Sequence, residues 1–155
     1  LSSKPVRSFG PAFLCFAAGR SGKKEDTTTG KQAMPQLEIE YSANLPITEQ
    51  LRSLAISLHR EIAKAADADP ASFKTRLSPL ENVVIADGGP KHGMVHLDVR
   101  LLSGRSDNVK YDVGAIALET LRAHLENLVG DFDVQFTVEV HDLDRANYHK
   151  HVTSA

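Results

Sequence analysis

Apolar and polar positions alternate over Gln36-Leu37-Glu38-Ile39-Glu40-Tyr41. That period of two predicts a first β-strand with one buried face, opened by the pair Met34-Pro35. After Leu45-Pro46-Ile47-Thr48 the period changes. Leu51, Leu54, Ala55, Leu58, Ile62, Ala65 and Ala66 recur at steps of three and four, the stripe of an amphipathic helix running to about Ala66. Thr48 is expected to cap it, and Asp67-Ala68-Asp69-Pro70 to end it, because the residue before a proline is pushed out of helical geometry. Phe73 to Leu77 and Asn82 to Ile85 read as short extended pieces interrupted by Pro79, whose missing N–H suits a sheet edge or a bend.

Asp87-Gly88-Gly89-Pro90 is a turn, and the pattern then begins again. Val95, Leu97, Val99 and Leu101 alternate with His96, Asp98, Arg100 and Leu102, giving a second long strand that runs into Ser103-Gly104-Arg105-Ser106. A helix is expected from about Asp107 to Val129, with Val113, Ile116, Ala117, Leu121, His124, Leu125 and Leu128 as its inner stripe. Gly130-Asp131 stops it. Asp133 to His141 alternates once more, with Val134, Phe136, Val138 and Val140 on one side. The order is βαβ followed by βαβ, and parallel strands joined by crossover helices place both helices on one face. The expected fold is α/β (α+β): a two-layer sandwich of a four-stranded mixed sheet under two helices, with internal pseudo-symmetry. The other face is expected to carry Met94, Leu102 and other nonpolar atoms, and with open sheet edges that invites association. The pattern stops at His141, and the tail from Leu143 to Ala155 is left without an assignment.

Charge divides the chain of 155 residues. Residues 1–33 carry a net +4 and the whole chain −2, leaving −6 for the remainder. An acidic domain is a poor partner for nucleic acid. Residues 1–33 lack sustained periodicity and are rich in Gly, Ser, Thr and Lys, a composition that builds no core. They are expected to be a disordered leader outside the mature protein, with Met34 the start and 35–155 the domain. Their apolar run, Ala12 to Ala18, is too short to cross a bilayer, and no other stretch approaches the required ~20 residues, so no membrane span is expected. Cys15, the single cysteine, lies in the leader, so the domain has no disulfide and no thiolate chemistry. A reducing, cytoplasmic location fits.

Proline inside a chain is a tertiary amide, but at a chain's start it is a secondary amine and a base. With Pro35 opening the first strand of a doubled βαβ unit, and with Ala86-Asp87-Gly88, Val95-His96 and Gly104-Arg105 following in order, the chain resembles the tautomerase superfamily. Within it the likeness is to the 5-carboxymethyl-2-hydroxymuconate delta-isomerases, over Pro35 to about Val152. The resemblance implies a homotrimeric, cofactor-independent isomerase of unsaturated 2-hydroxy or 2-oxo dicarboxylic acids in aromatic-compound catabolism. Pro35 would be the catalytic base and arginines would hold the small-molecule dicarboxylate substrate. Arg105 matches one of those arginines. The other falls on Lys74, which keeps the charge but loses the planar fork, with Arg76 two residues on along the same strand face. The alternatives are a tautomerase of a simpler, phenylpyruvate-like enol, or a non-catalytic trimeric binding module if the leader is retained.

Each residue also has a plain structural reading. Pro35 suits the mouth of a strand without any chemistry, Arg105 suits a loop cap or a pair with Asp107, and Lys74 and Arg76 suit a solvated strand. His96 is expected to be a hydrogen-bonded structural histidine. His92 and His149-Lys150-His151 lack carboxylates at ligand spacing, so no metal is assigned. Gly88-Gly89 and Gly104 lack the spacing of a phosphate loop.

Overall fold

In the computed structural model, which describes residues 34–153, the first alternating run forms β1 (Gln36–Ser42). The helical stripe forms α1 (Leu51–Ala65), followed by β2 (Lys74–Leu80). The second half repeats the order with β3 (His92–Leu102), α2 (Asp107–Leu125) and β4 (Asp133–Leu143). The leader expected over 1–33, with Cys15, lies outside the described residues.

The four strands form one mixed sheet in the order β2-β1-β3-β4. β1 pairs with β2 in parallel and β3 with β4 in parallel, while the central β1–β3 pair is antiparallel. Each half is therefore a βαβ unit, and an approximate two-fold relates the start of β1 to the start of β3. Leu37 and Ile39 of β1 and Val95, Leu97, Val99 and Leu101 of β3 are fully buried. They meet Leu54, Leu58 and Ile62 of α1 and Val113, Ala117, Leu121 and Leu125 of α2 in one core. Val134, Phe136, Val138 and Val140 of the edge strand β4 pack against it while only partly buried.

Several expectations are corrected. Thr48 is not the cap of α1: it begins a three-residue 3-10 turn (Thr48–Gln50), and Gln50 stands before α1 without a side-chain cap bond. Asn82 to Ile85 forms no strand. β2 is already the sheet edge, Pro79 lies within it, and Val84 is 87% exposed with nothing to pair against. α2 ends at Leu125 rather than Val129, and Leu128 of the expected inner stripe is exposed. Ser106 caps this helix by accepting from the Val109 N–H.

The face opposite the helices is polar rather than nonpolar. Arg76 pairs with Glu38 at 2.8 Å. Arg100 reaches Glu38 at 3.7 Å and also pairs with Asp98, and His141 pairs with Glu139 at 2.9 Å. Met94 and Leu102 lie at the two ends of this row. Among the described residues no helix is long and apolar enough to cross a membrane.

Candidate active site

Pro35 is buried where the chain enters β1. Its carbonyl accepts from the Lys74 N–H at 3.3 Å, so β2 begins beside it, and the register sets Gln36 between Lys74 of β2 and Arg100 of β3. This end of the sheet therefore gathers the starts of β1 and β2 with the ends of β3 and β4.

A cavity of ≈ 330 Å³ opens there, lined by Met34, Leu102, Arg145, Tyr148, His149 and Lys150. Met34, the residue joined to the Pro35 nitrogen, is 3% exposed. The other wall belongs to the tail, which the hydrophobic pattern left unassigned. It turns back through a 3-10 turn (Arg145–Asn147), capped by Asp144, whose carboxylate accepts from the Ala146 N–H at 2.9 Å. The tail is tied down by Gln36 Nε2, which donates to the Tyr148 hydroxyl at 3.2 Å. Arg145, Tyr148, His149 and Lys150 were invisible to periodicity. The local signal was Asp144-Arg145-Ala146-Asn147, an Asx-type turn.

The candidates named from sequence are placed differently from one another. Arg105 is half-buried, and its Nε donates to Ala66 O at 3.2 Å and its Nη1 to Leu102 O at 2.9 Å. It thus ties the C-terminus of α1 to the end of β3, where free carbonyls favour a cation. Burial, and after it the positive charge of Arg145, pull Arg105 below its ordinary value, while Asp142 and Asp67 act in the opposite direction. Through Leu102 it adjoins the cavity without lining it. Lys74 is exposed, and its Nζ donates to Ser72 O at 3.3 Å. Arg76 lies on the same strand face as Lys74 and is committed to Glu38, whose carboxyl its hydrogen bond holds below the usual range. Asp107 bonds Lys110 at 3.0 Å instead of Arg105. His96 Nδ1 and Thr137 Oγ1 share a hydrogen bond of 2.8 Å across β3 and β4, the structural role expected of it.

A second cavity of ≈ 380 Å³ lies at the opposite end of the sheet, where β1 ends and β3 begins, with Ser42, Leu80, Glu81, Gly89, Pro90 and His92 in its lining. His92 lies between Asp87 at 2.9 Å and Asp133 at 3.5 Å. Among the described residues no three His, Cys, Asp or Glu side chains are grouped to hold a metal ion.

The sequence model of the 5-carboxymethyl-2-hydroxymuconate isomerase family matches residues 35–153, starting at Pro35. The chain belongs to this family. The family and the fold make it an isomerase of the tautomerase type. The crystal structure of a 5-carboxymethyl-2-hydroxymuconate isomerase from Deinococcus radiodurans R1 superposes with a TM-score of 0.71 at 25% identity, over 79% of this chain and 92% of that one. A 5-carboxymethyl-2-hydroxymuconate delta-isomerase gives 0.69 at 23% identity, over 78% and 90%. A fused 4-OT described as an asymmetric trimer gives 0.61 at 22% identity, over 74% and 91%, a likeness of fold. No curated protein sequence matches the chain.

Proposed function

We propose that the chain, when it begins at Pro35, isomerises an unsaturated 2-hydroxy or 2-oxo dicarboxylic acid such as 5-carboxymethyl-2-hydroxymuconate, with the Pro35 amine as base. The observation that carries this is the position of Pro35: it is the first residue of the family match, and Met34, bonded to its nitrogen, lines a cavity whose other wall holds Arg145, His149 and Lys150. In a chain starting at Pro35 the volume of Met34 joins the cavity and the nitrogen becomes a secondary amine facing it.

The chemistry needs one group that takes a proton and gives one back. The neutral amine accepts the proton of the 2-hydroxyl, the enolate oxygen becomes the 2-oxo group, and the protonated amine returns a proton to a carbon of the conjugated chain, so no proton is gained or lost. A chain-terminal amine titrates near pH 8 in reference peptides, and burial beside cations lowers that value, which leaves a usable neutral fraction at pH 7. Lys74 beside Pro35 and Arg105 beyond Leu102 flank the amine, and they supply positive field for the substrate carboxylates and the developing oxyanion. Arg76 serves the same substrate only on release from Glu38. The reaction draws on no cofactor, and the acid belongs to aromatic-compound catabolism in the cytoplasm.

The working form is proposed to be a homotrimer. Support comes from the open edges at β2 and β4 and from the trimeric fused 4-OT. Sedimentation that finds a monomer at micromolar concentration overturns this.

The test compares the full chain with a chain beginning at Pro35, in ketonisation of 2-hydroxymuconate. With residues 1–34 attached the nitrogen is an amide, and the protein acts at most as a binding module. Freed, it is expected to gain about 10²–10⁴-fold. Equal rates, with intact mass confirming both termini, rule out Pro35 as the base.

A further inference from the structure

The cationic side of the cavity comes from residues other than Arg105 and Lys74, the positions to which the resemblance gives substrate contacts. Arg145 follows β4 and is folded back by the Asp144 turn. Its Nε and Nη2 donate to Ser103 O at 3.4 and 3.1 Å. Arg105 donates to the preceding carbonyl, Leu102 O, at 2.9 Å. Two guanidinium groups are thus fixed on consecutive peptide carbonyls at the end of β3, and burial, and after it the Arg145 charge, pull Arg105 below its ordinary value. Like charges held side by side are costly, and an anion placed between or beside them relieves the repulsion.

Two of the neighbouring carboxylates, Asp142 and Asp144, are engaged elsewhere, and Asp67 acts on Arg105. Asp142 pairs with Lys110 at 3.1 Å, and the Asp144 carboxylate accepts from the Ala146 N–H and from the Asn147 side-chain amide Nδ2. The anchoring bonds of Arg145 use Nε and one hydrogen of Nη2. Nη1 has no partner among the described residues, and Arg145 pairs with no carboxylate there. Arg145 itself is exposed to the cavity, whose opposite wall is the apolar pair Met34 and Leu102. A carbon chain against that wall with a carboxylate on Arg145 matches the lining.

We propose that Arg145 receives the carboxylate distant from the reacting enol, so that the cavity selects dicarboxylic over monocarboxylic acids. The assignment deepens the tautomerase reading and rests on it for the identity of the substrate. It places the second cationic contact on the C-terminal tail, on the β3 side of Pro35, whereas Lys74 stands on the β2 side with its Nζ turned to Ser72.

Calorimetric titration of the full chain with adipate and with hexanoate tests it, since neither acid can be isomerised. The protein is expected to bind adipate more tightly than hexanoate. Arg145→Ala is expected to lose roughly ten- to hundredfold in adipate affinity with hexanoate unchanged, and Arg145→Lys, which keeps the charge without the fork, to fall between. A circular-dichroism melt of each variant confirms the fold. No preference for adipate, or an Arg145→Ala variant that binds it as the protein does, overturns the assignment. Arg145-dependent adipate binding in a protein whose Pro35 form turns over no enol upholds this site and sinks the catalytic reading, while turnover with Arg145-independent binding does the reverse.

Discussion

Gln36 and Tyr148 are hydrogen-bonded at 3.2 Å although 112 residues separate them. The first residue of β1 thereby holds the C-terminal tail at Tyr148 by a neutral, partly buried contact, while Arg145 is anchored separately on Ser103 O.

Tyr148→Phe is expected to loosen the tail there while leaving the core intact. A bond of this kind contributes about 0.5–1.5 kcal/mol, felt locally. Hydrogen exchange should quicken at the amides of 145–150, with the strands unchanged, and adding Gln36→Ala should bring no further acceleration. An unchanged exchange pattern in Tyr148→Phe shows that the tail is held by something else.

Arg105 is expected to matter for folding as well as for substrate. Arg105→Ala strips two charged donors from Ala66 O and Leu102 O and leaves the end of α1 without its cation, at an expected cost of about 1.5–3 kcal/mol. Arg105→Lys, with one point donor for two acceptors, should be intermediate. Urea denaturation measures this. A midpoint that does not move in Arg105→Ala, beside a large loss of turnover, assigns the residue to the substrate alone.

His59 should make the fold acid-sensitive well above the carboxylate range. It reaches from α1 to β2, sharing a 2.7 Å hydrogen bond with Thr75 Oγ1 and packing its ring 5.2 Å from that of Phe73. Burial holds it below its ordinary value of 6.5. The unfolded chain then takes up the proton more readily than the folded one, so the stabilisation is complete above the unfolded value and is lost as pH falls through 6.5 towards the lower folded value. Guanidinium denaturation at about pH 7.5 and about pH 5.5 should show a drop in the protein that His59→Gln largely removes. An equal drop in both excludes His59 as its source.

The architecture was legible because its signals are local. Leu37, Ile39 and Tyr41 announce β1, the three- and four-step stripes announce both helices, and Val134 to Val140 announces β4, since burial of one face imposes the period. Pro79 was rightly suited to an edge strand. The extended reading of Asn82 to Ile85 failed because a strand needs a neighbour, and whether one exists is a property of the whole sheet. The open face misled for a related reason: Met94 and Leu102 are the ends of a row whose middle is Glu38, Arg76, Asp98 and Arg100. The residues around the candidate cavity were only partly visible in the sequence. Pro35 is marked by its place before the first strand, whereas the bonds of Arg105 to Ala66 and of Tyr148 to Gln36 span 39 and 112 residues, and Arg145 sits in a segment whose local pattern says only that it turns.

The approximate two-fold between the halves gives the molecule two mouths, one before β1 and one before β3. A chain has a single beginning, so only the mouth at Pro35 can ever present an α-amine. At the other, Pro90 and Lys91 lie in the interior of the chain, the nitrogen is committed to a peptide bond, and the surroundings include Glu81, Asp87 and Asp133. The repeated architecture is similar in the order of its elements and unlike in the residues it presents, and direction along the polypeptide is what separates the two ends.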